Sequence, residues 1–408
     1  MNKISVIGLG YIGLPTALIF AANGVQVVGT DINVELVNLL KSGRPPFKEK
    51  GLDELFNKAI KNGIEFTTEY KRADMYIIAA PTPYIKRNKK LDPEFVLKAI
   101  KSVFNVIQNE EILIIESTIS PGTIDEFVRP LVKGLKLEKG INVNLVHAPE
   151  RILPGNMLYE LENNSRTIGA DSVEIAQIVK SVYSKFCKSE IIITDIKTAE
   201  MTKVIENTYR DINIAFANEL AKICYQNNLN VYEIIRIANK HPRVNILQPG
   251  PGVGGHCISV DPWFLVGNYP DIVNVILAAR KVNNEMPEFI LSRISAIMKD
   301  HNIKDIKRVG LYGLTYKENV DDTRESPTLQ ILEKLSENLA FGIKTFDPFI
   351  NHIMVEGQEL DFQKFLSEID ILVVLVAHNH IKENIDKIKG KIIFDTRNVI
   401  NIDGVYKL

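Results

Sequence analysis

Nowhere does this 408-residue chain carry the roughly 18 consecutive apolar residues that a membrane-spanning helix needs. Cysteine is scarce and odd in number: Cys187, Cys224 and Cys257. Three thiols are too few for a disulfide framework and suit a reducing compartment. The seven histidines are scattered, and no Cys/His/Asp/Glu spacing suggests a metal site, so no metal is expected. Neither charge dominates. With 49 Lys and Arg against 50 Asp and Glu the net charge is −1, which leaves no global basic field for nucleic acid or anionic membrane. Repeats and low-complexity tracts are absent, as is a basic-then-apolar leader ahead of the first strand pattern. A cytoplasmic location is expected.

What is present is ordinary globular composition, 45% hydrophobic and 24% charged, in a chain long enough for about two or three domains. Short apolar runs alternate with amphipathic stretches through the first half. Strands are expected at Ile4–Ile7, Val25–Gly29, Met75–Ala79, Ile112–Glu116, Val143–His147 and Ile191–Thr194, which reads as a parallel α/β sheet. From Thr198 to about Ala238 the strand signal disappears. A long helix is expected there, with a second one after Asn227-Asn228, then a Gly/Pro-rich loop over Lys240–Pro262 and more helix to about Lys299. A second α/β segment follows, with strands at Arg308–Tyr312, Ile343–Phe346, Ile371–Val376 and Ile392–Phe394. The expected division is residues 1–197, 198–299 and 300–408.

Ile4-Ser5-Val6-Ile7-Gly8-Leu9-Gly10-Tyr11-Ile12-Gly13 is a strand running into Gly-x-Gly-x-x-Gly, followed by a helical pattern and a second strand ending at Asp31. Glycines there make the tight turn and let a pyrophosphate sit on the helix N-terminus. Asp31 lies 18 residues beyond Gly13, near the spacing of an acid that binds the ribose 2′-OH, and its charge would repel a 2′-phosphate. A dinucleotide site that takes NAD in preference to NADP is expected. Pro81-Thr82-Pro83 and Glu116-Ser117-Thr118 fall at the carboxyl ends of later strands, where ligands of open α/β sheets lie, although turn chemistry alone would also use such residues.

The most informative segment is Gly250-Pro251-Gly252-Val253-Gly254-Gly255-His256-Cys257, with Asp261 four residues on and Trp263 beside it. A thiol in a glycine-rich loop can be reached by substrate, and the adjoining His256 can lower a thiol pKa. Cys187 and Cys224 read instead as structural. On the expected long helix Lys203 and Asn207 share a face, with Met201, Ile205, Thr208, Ile212 and Phe216 opposite. Taken alone, that polar face reads more readily as solvated than as functional. His147 reads as a sheet-end residue.

Together these pieces closely resemble the UDP-glucose/GDP-mannose dehydrogenase family over nearly the whole chain. The resemblance rests on Gly8, Gly10 and Gly13, on Glu116-Ser117-Thr118, on Ala148-Pro149-Glu150 and on Lys203 with Asn207. Gly254-Gly255-His256-Cys257 with Asp261, and Lys317 with Asp322-Thr323-Arg324-Glu325-Ser326, complete the set. It implies an α/β fold with two Rossmann-like parallel-sheet domains joined by a central helical domain with a long helix. It also implies NAD-dependent four-electron oxidation of a sugar C6 alcohol to a carboxylate. Cys257 would attack the aldehyde-level intermediate, and Lys203, helped by Asn207, would stabilise the oxyanion. Glu150, Asp261 and Thr118 would orient or activate water, with no ranking among them. The cofactor would meet Gly8, Gly10, Tyr11, Ile12, Gly13, Asp31, Thr82, Thr118 and Arg324. The UDP-sugar would meet Glu150, Arg151, Lys203, Asn207, Gly254, His256, Lys317 and Arg397. A homodimer is implied, with Arg243 reaching the partner's substrate. Within the family, His241–Cys257 and Val260–Phe264 are similar to the branch that oxidises UDP-N-acetyl-D-mannosamine. Some UDP-glucose members carry Lys just before the Asp, whereas this chain has Val260. Alternatives are a UDP-N-acetyl-D-glucosamine 6-dehydrogenase, a two-electron hydroxyacid-type dehydrogenase, which needs a Lys but no nucleophilic thiol, and a catalytically silent NAD-binding regulator.

Overall fold

A computed structural model of the chain describes residues 3–85, 87–255, 257–337 and 342–408. It contains two compact units, Met1–Glu206 with Trp263–Asn268, and Asn207–Pro262 with Tyr269–Leu408. Among the described residues no helix is long and apolar enough to cross a membrane, and no His/Cys/Asp/Glu group is assembled to hold a metal.

The first unit is built on β1 (Lys3–Ile7), β2 (Gln26–Thr30), β3 (Glu65–Thr67), β4 (Met75–Ile78), β5 (Glu111–Ile115), β6 (Val143–His147), β7 (Arg166–Ala170) and β8 (Ile191–Thr194). The sheet order is β3-β2-β1-β4-β5-β6-β7-β8. β4 and β5 are buried at every position, as expected of strands that read as unbroken apolar runs because both faces are covered. The helix Gly13–Ala22 is likewise buried along its whole length. The chain order reverses between β1 and β4, which makes their carboxyl ends a topological switch point, where doubly wound sheets bind ligands.

Two strands differ from expectation. β3 is three residues long, Glu-Phe-Thr, and β7 is Arg-Thr-Ile-Gly-Ala, with one large apolar side chain; neither makes a run. The sheet is also not wholly parallel, because β7 runs antiparallel to β6, pairing Val146 with Ala170 and His147 with Gly169.

In the second unit β9 (Val309–Tyr312), β10 (Lys344–Phe346), β11 (Ile371–Val374), β12 (Ile392–Asp395) and β13 (Tyr406–Lys407) form a parallel sheet in the order β10-β9-β11-β12-β13. The two-residue β13 was beyond sequence reading. The helix Ile196–Gln226 runs for 31 residues, beginning in the first unit and continuing in the second. It ends at the expected Asn227-Asn228, with Asn228 left-handed at φ 53°. Asn230 then caps Val231–Ala238 by accepting the Tyr232 and Glu233 amides. The helix Asn274–Asp300 packs with these: Ala217, Cys224, Ile235, Met286 and Ile290 share one core with Val309, Leu311, Ile371 and Val373. Cys187 lies in the first unit's core and Cys224 in this one, so both are structural, as read from the sequence.

His147, the last residue of β6, is fully buried with Nδ1 2.9 Å from the Ile115 carbonyl oxygen. Burial disfavours the imidazolium and pulls the pKa down to about 4, with the Ile115 bond opposing. The folded state therefore keeps this ring neutral where the unfolded chain, titrating near 6.5, takes a proton. The contribution to stability is complete above about pH 6.5 and is lost as pH falls towards 4, worth about 3 kcal/mol in full. Urea unfolding of wild type and His147→Gln at pH 6.5, 5.5 and 4.5 should show the wild type losing about 2 kcal/mol more across that range. Parallel losses would show that His147 is not the source.

Candidate active site

In the first unit the three fingerprint glycines have different reasons. Gly8 has φ +90°, and a Cβ there would lie 2.6 Å from the Ala79 carbonyl oxygen. At Gly13 it would lie 1.9 Å from the Gly8 oxygen. Both are required by the chain's own packing. A Cβ at Gly10 would meet nothing within 4 Å. Nothing in the protein itself requires glycine at Gly10, and the open backbone suits the approach of a pyrophosphate at a helix N-terminus. Asp31 follows β2 and accepts the Leu9 amide at 2.7 Å and the Asn33 amide at 2.9 Å, so its carboxylate is tied to the glycine loop. Tyr11 stacks on Phe47 with ring centroids 4.4 Å apart, and Ile12 leads into the helix Gly13–Ala22. These residues fit a dinucleotide. Thr82 and Thr118 follow β4 and β5, and Ser117 Oγ donates to the Ala80 carbonyl at 2.7 Å, joining the two turns.

Behind them is a buried charge cluster that sequence reading missed. Arg166 pairs with Glu150 and lies 3.6 Å from Glu116. Its guanidinium stacks 4.6 Å from the Tyr183 ring, and the Tyr183 hydroxyl donates to Glu116 at 3.1 Å. The other Glu150 oxygen accepts the Arg151 amide at 2.6 Å. The Arg151 guanidinium is engaged by Ser165, Thr167 and, at 2.7 Å, Glu206. Lys203 is 7% exposed, which overturns the solvated-face reading. The opposite face is mixed: Ile205 and Phe216 are about half-exposed, Met201 and Ile212 are partly buried, and Thr208 is buried. One turn before Lys203, Glu200 accepts the Gly122 and Ile124 amides, and burial pushes its carboxyl up to about 7 against those bonds.

In the second unit Asn207 Nδ2 donates to Asp261 at 2.6 Å, across 54 residues of sequence. The Cys257 carbonyl accepts the Val260 amide at 3.1 Å and the Asp261 amide at 2.8 Å, in the turn that opens the helix Asp261–Asn268. Cys257 is partly exposed; its neighbour His256 lies outside the described residues. The loop glycines answer to the protein itself. A Cβ at Gly254 would lie 2.6 Å from the Glu325 carbonyl oxygen and 2.7 Å from Tyr316 Cβ, and one at Gly255 (φ +89°) would lie 2.8 Å from the Tyr316 ring. The Gly255 amide donates to the Arg324 carbonyl at 2.9 Å. A Cβ at Gly250 would lie 2.5 Å from the Arg397 guanidinium. The loop therefore gathers Cys257, Lys317, Arg324 and Arg397 into one region, with Tyr316, which had no sequence signal, as its floor. Arg324 also pairs with Asp322 at 2.6 Å. Arg243 is exposed.

A doubly wound sheet with an open-faced Gly-x-Gly-x-x-Gly turn, followed by a second parallel sheet whose loops collect a thiol, a lysine and arginines, defines an NAD-dependent dehydrogenase acting on a nucleotide-linked substrate. Family models for the UDP-glucose/GDP-mannose dehydrogenase NAD binding, central and UDP binding domains match residues 2–187, 197–285 and 310–402. The chain belongs to this family and is a UDP-sugar dehydrogenase. It is 45% identical to a UDP-N-acetyl-D-mannosamine dehydrogenase of Methanocaldococcus jannaschii over 98% of this chain and 93% of that one. It is 38% identical to an NDP-N-acetyl-D-galactosaminuronic acid dehydrogenase of Ralstonia nicotianae, over 97% of this chain and 96% of that one. The structure of UDP-D-ManNAc dehydrogenase from Pyrococcus horikoshii matches with a TM-score of 0.91 at 36% identity, covering 99% of this chain and 98% of that one.

Asp31 generates a cofactor prediction. kcat/KM with NAD should exceed that with NADP, and Asp31→Ser should narrow the ratio by about tenfold or more, since a carboxylate near the ribose disfavours a 2′-phosphate. An unchanged ratio would show that Asp31 does not face the ribose.

Proposed function

We propose that the chain oxidises UDP-N-acetyl-D-mannosamine at C6 to UDP-N-acetyl-D-mannosaminuronate through a covalent adduct on Cys257. NAD would be held on the Gly8–Gly13 turn and would supply the hydride acceptor, two equivalents for each sugar. The first oxidation releases the hydroxyl proton and leaves an aldehyde. Cys257 Sγ then bonds to the aldehyde carbon, and Lys203, with Asn207, balances the negative oxygen. Loss of the second hydride from that carbon leaves a thioester. Water adds to it, the C–S bond breaks, and the carboxylate departs with the thiol restored. Glu150, Asp261 and Thr118 serve to orient or deprotonate that water. Lys317 and Arg397 hold the sugar diphosphate.

The observation that carries this reading is the Asn207–Asp261 hydrogen bond with the Cys257–Asp261 turn. It ties the Cys257 backbone, through Asp261, to Asn207 of the long helix. The similarity to a UDP-N-acetyl-D-mannosamine dehydrogenase supports the sugar, and the galactosaminuronic relative makes a C2 or C4 epimer the competing reading. A site that pairs an acetamido group rejects a sugar without one, because its own partners are then left unbonded. Initial rates with UDP-ManNAc, UDP-GlcNAc, UDP-GalNAc and UDP-glucose, with NADH counted per sugar consumed, test substrate and mechanism together. UDP-ManNAc should lead and give two NADH, and Cys257→Ala should bind NAD but form no uronate. Preference for another acetamido sugar overturns the epimer, preference for UDP-glucose overturns the branch, and full turnover in Cys257→Ala removes the covalent step.

We further propose a homodimer formed through the long helix. Tyr209, Phe216 and Ile223 recur every seven residues and are exposed by 68, 52 and 49%, a seam suited to a second helix. Arg243 acts on the partner's substrate. Mixing Arg243→Ala with Cys257→Ala, each inactive alone, should restore some activity once subunits exchange. No recovery after confirmed exchange would count against action in trans.

A further inference from the structure

We infer that Arg166 is a positioning residue, which fixes the Glu150 carboxylate and keeps it ionised for the water step; this rests on the proposed role of Glu150. The inference starts from the reversed strand. β7 pairs antiparallel with β6, His147 opposite Gly169. Continued past the end of the ladder, the same register sets Glu150 opposite Arg166. A parallel β7 would have sent this end of the strand to the other edge of the sheet, away from the Ala148-Pro149-Glu150 turn.

The contacts are those of a built site. The side chains of Arg166, Glu150 and Glu116 are 4, 3 and 0% exposed. Both Glu150 oxygens are engaged, one by the Arg166 guanidinium and one by the Arg151 amide at 2.6 Å. Arg166 is held in turn by the Tyr183 and Phe186 rings, 4.6 and 5.3 Å from the guanidinium carbon. Such a carboxylate has one orientation, and an orientation is what a group that aligns water requires.

The cluster holds two buried carboxylates and one cation. Burial pushes the Glu116 carboxyl up, with Arg166 and the bonds from Thr16 and Tyr183 opposing. Arg166 is in direct contact with Glu150 and lies 3.6 Å from Glu116, so its charge acts chiefly on Glu150. The remaining charges nearby, Arg151 and Glu206, form their own pair at 2.7 Å. Removing the guanidinium takes a cation from beside a buried carboxylate, so the Glu150 pKa must rise, and the acid limb of the rate profile with it.

The test is the pH dependence of kcat with NAD and the preferred UDP-sugar, beside thermal unfolding. Arg166→Met should move the acid limb up by about 1–3 pH units. Arg166→Lys keeps the charge without the planar fork, so the limb should stay near wild type while kcat falls about fivefold or more. Glu116→Gln should leave the limb in place, because the Arg166–Glu150 pair survives it. A folded Arg166→Met with an unmoved limb, or Arg166→Lys with wild-type kcat, overturns the proposal, the Lys variant serving if Met prevents folding. Glu150→Gln separates the two levels. Full activity there removes Glu150 from the chemistry and Arg166 with it, whereas an inactive Glu150→Gln with an unmoved limb in Arg166→Met removes Arg166 alone.

Discussion

The second unit depends on one buried ion pair. Asp211 on the long helix and Arg280 on the helix Asn274–Asp300 meet at 2.6 Å, with side chains 0 and 3% exposed. Burial pushes the Asp211 carboxyl up and Arg280 opposes it, so the charged pair persists only while both partners are present. Asn283 donates to the same carboxylate at 2.8 Å, Asn218 donates to Asn283 at 2.9 Å, and Asn218 accepts the Gly250 amide at 2.9 Å. The requirement that buried polar atoms be bonded thereby runs from the helix pair into the first glycine of the loop that carries Cys257. The position of that loop is a consequence of how two helices satisfy a charge in their interface.

The first unit solves a related problem differently. Its parallel strands bury both faces and need no charge, but the reversal at β7 brings a cationic residue under the ends of two parallel strands. Arg166 is tolerated there because two carboxylates and two aromatic rings surround it. The same sheet offers its opposite region, at Gly10, as bare backbone.

Legibility in the sequence followed run length and chemical type. Strands of four or five consecutive buried apolar residues, such as β4, β5 and β11, were readable within a residue or two, and so was the 31-residue helix with its Asn227-Asn228 stop. β3, β7 and β13 were not, since three residues, one large apolar side chain and two residues respectively make no period. Lys203 was misjudged because polarity alone cannot tell a buried lysine from a solvated one. Gly8, Gly10 and Gly13 announced their turn, yet their differing reasons needed coordinates. Tyr316 gave no signal, being one tyrosine in a loop. Arg166 had a faint one: a lone arginine beginning a β-like Thr-Ile-Gly-Ala segment soon after Ala148-Pro149-Glu150.

The contact of Gly254 and Gly255 with Tyr316 has one more implication. Tyr316 precedes Lys317 in a loop pinned on both sides: Asp347 accepts the Leu314 and Thr315 amides at 2.6 and 3.1 Å, and His378 Nδ1 accepts the Asn319 amide at 2.9 Å. The thiol's loop rests on this braced segment with no side chain between backbone and ring. Preorganisation here is therefore steric: the entropy of placing the loop was lost when the chain folded, and the Cys257 backbone stands in register with Lys317 before any ligand arrives. A methyl group at Gly255 would act as a wedge in that register, separating Cys257 from Lys317 without touching either.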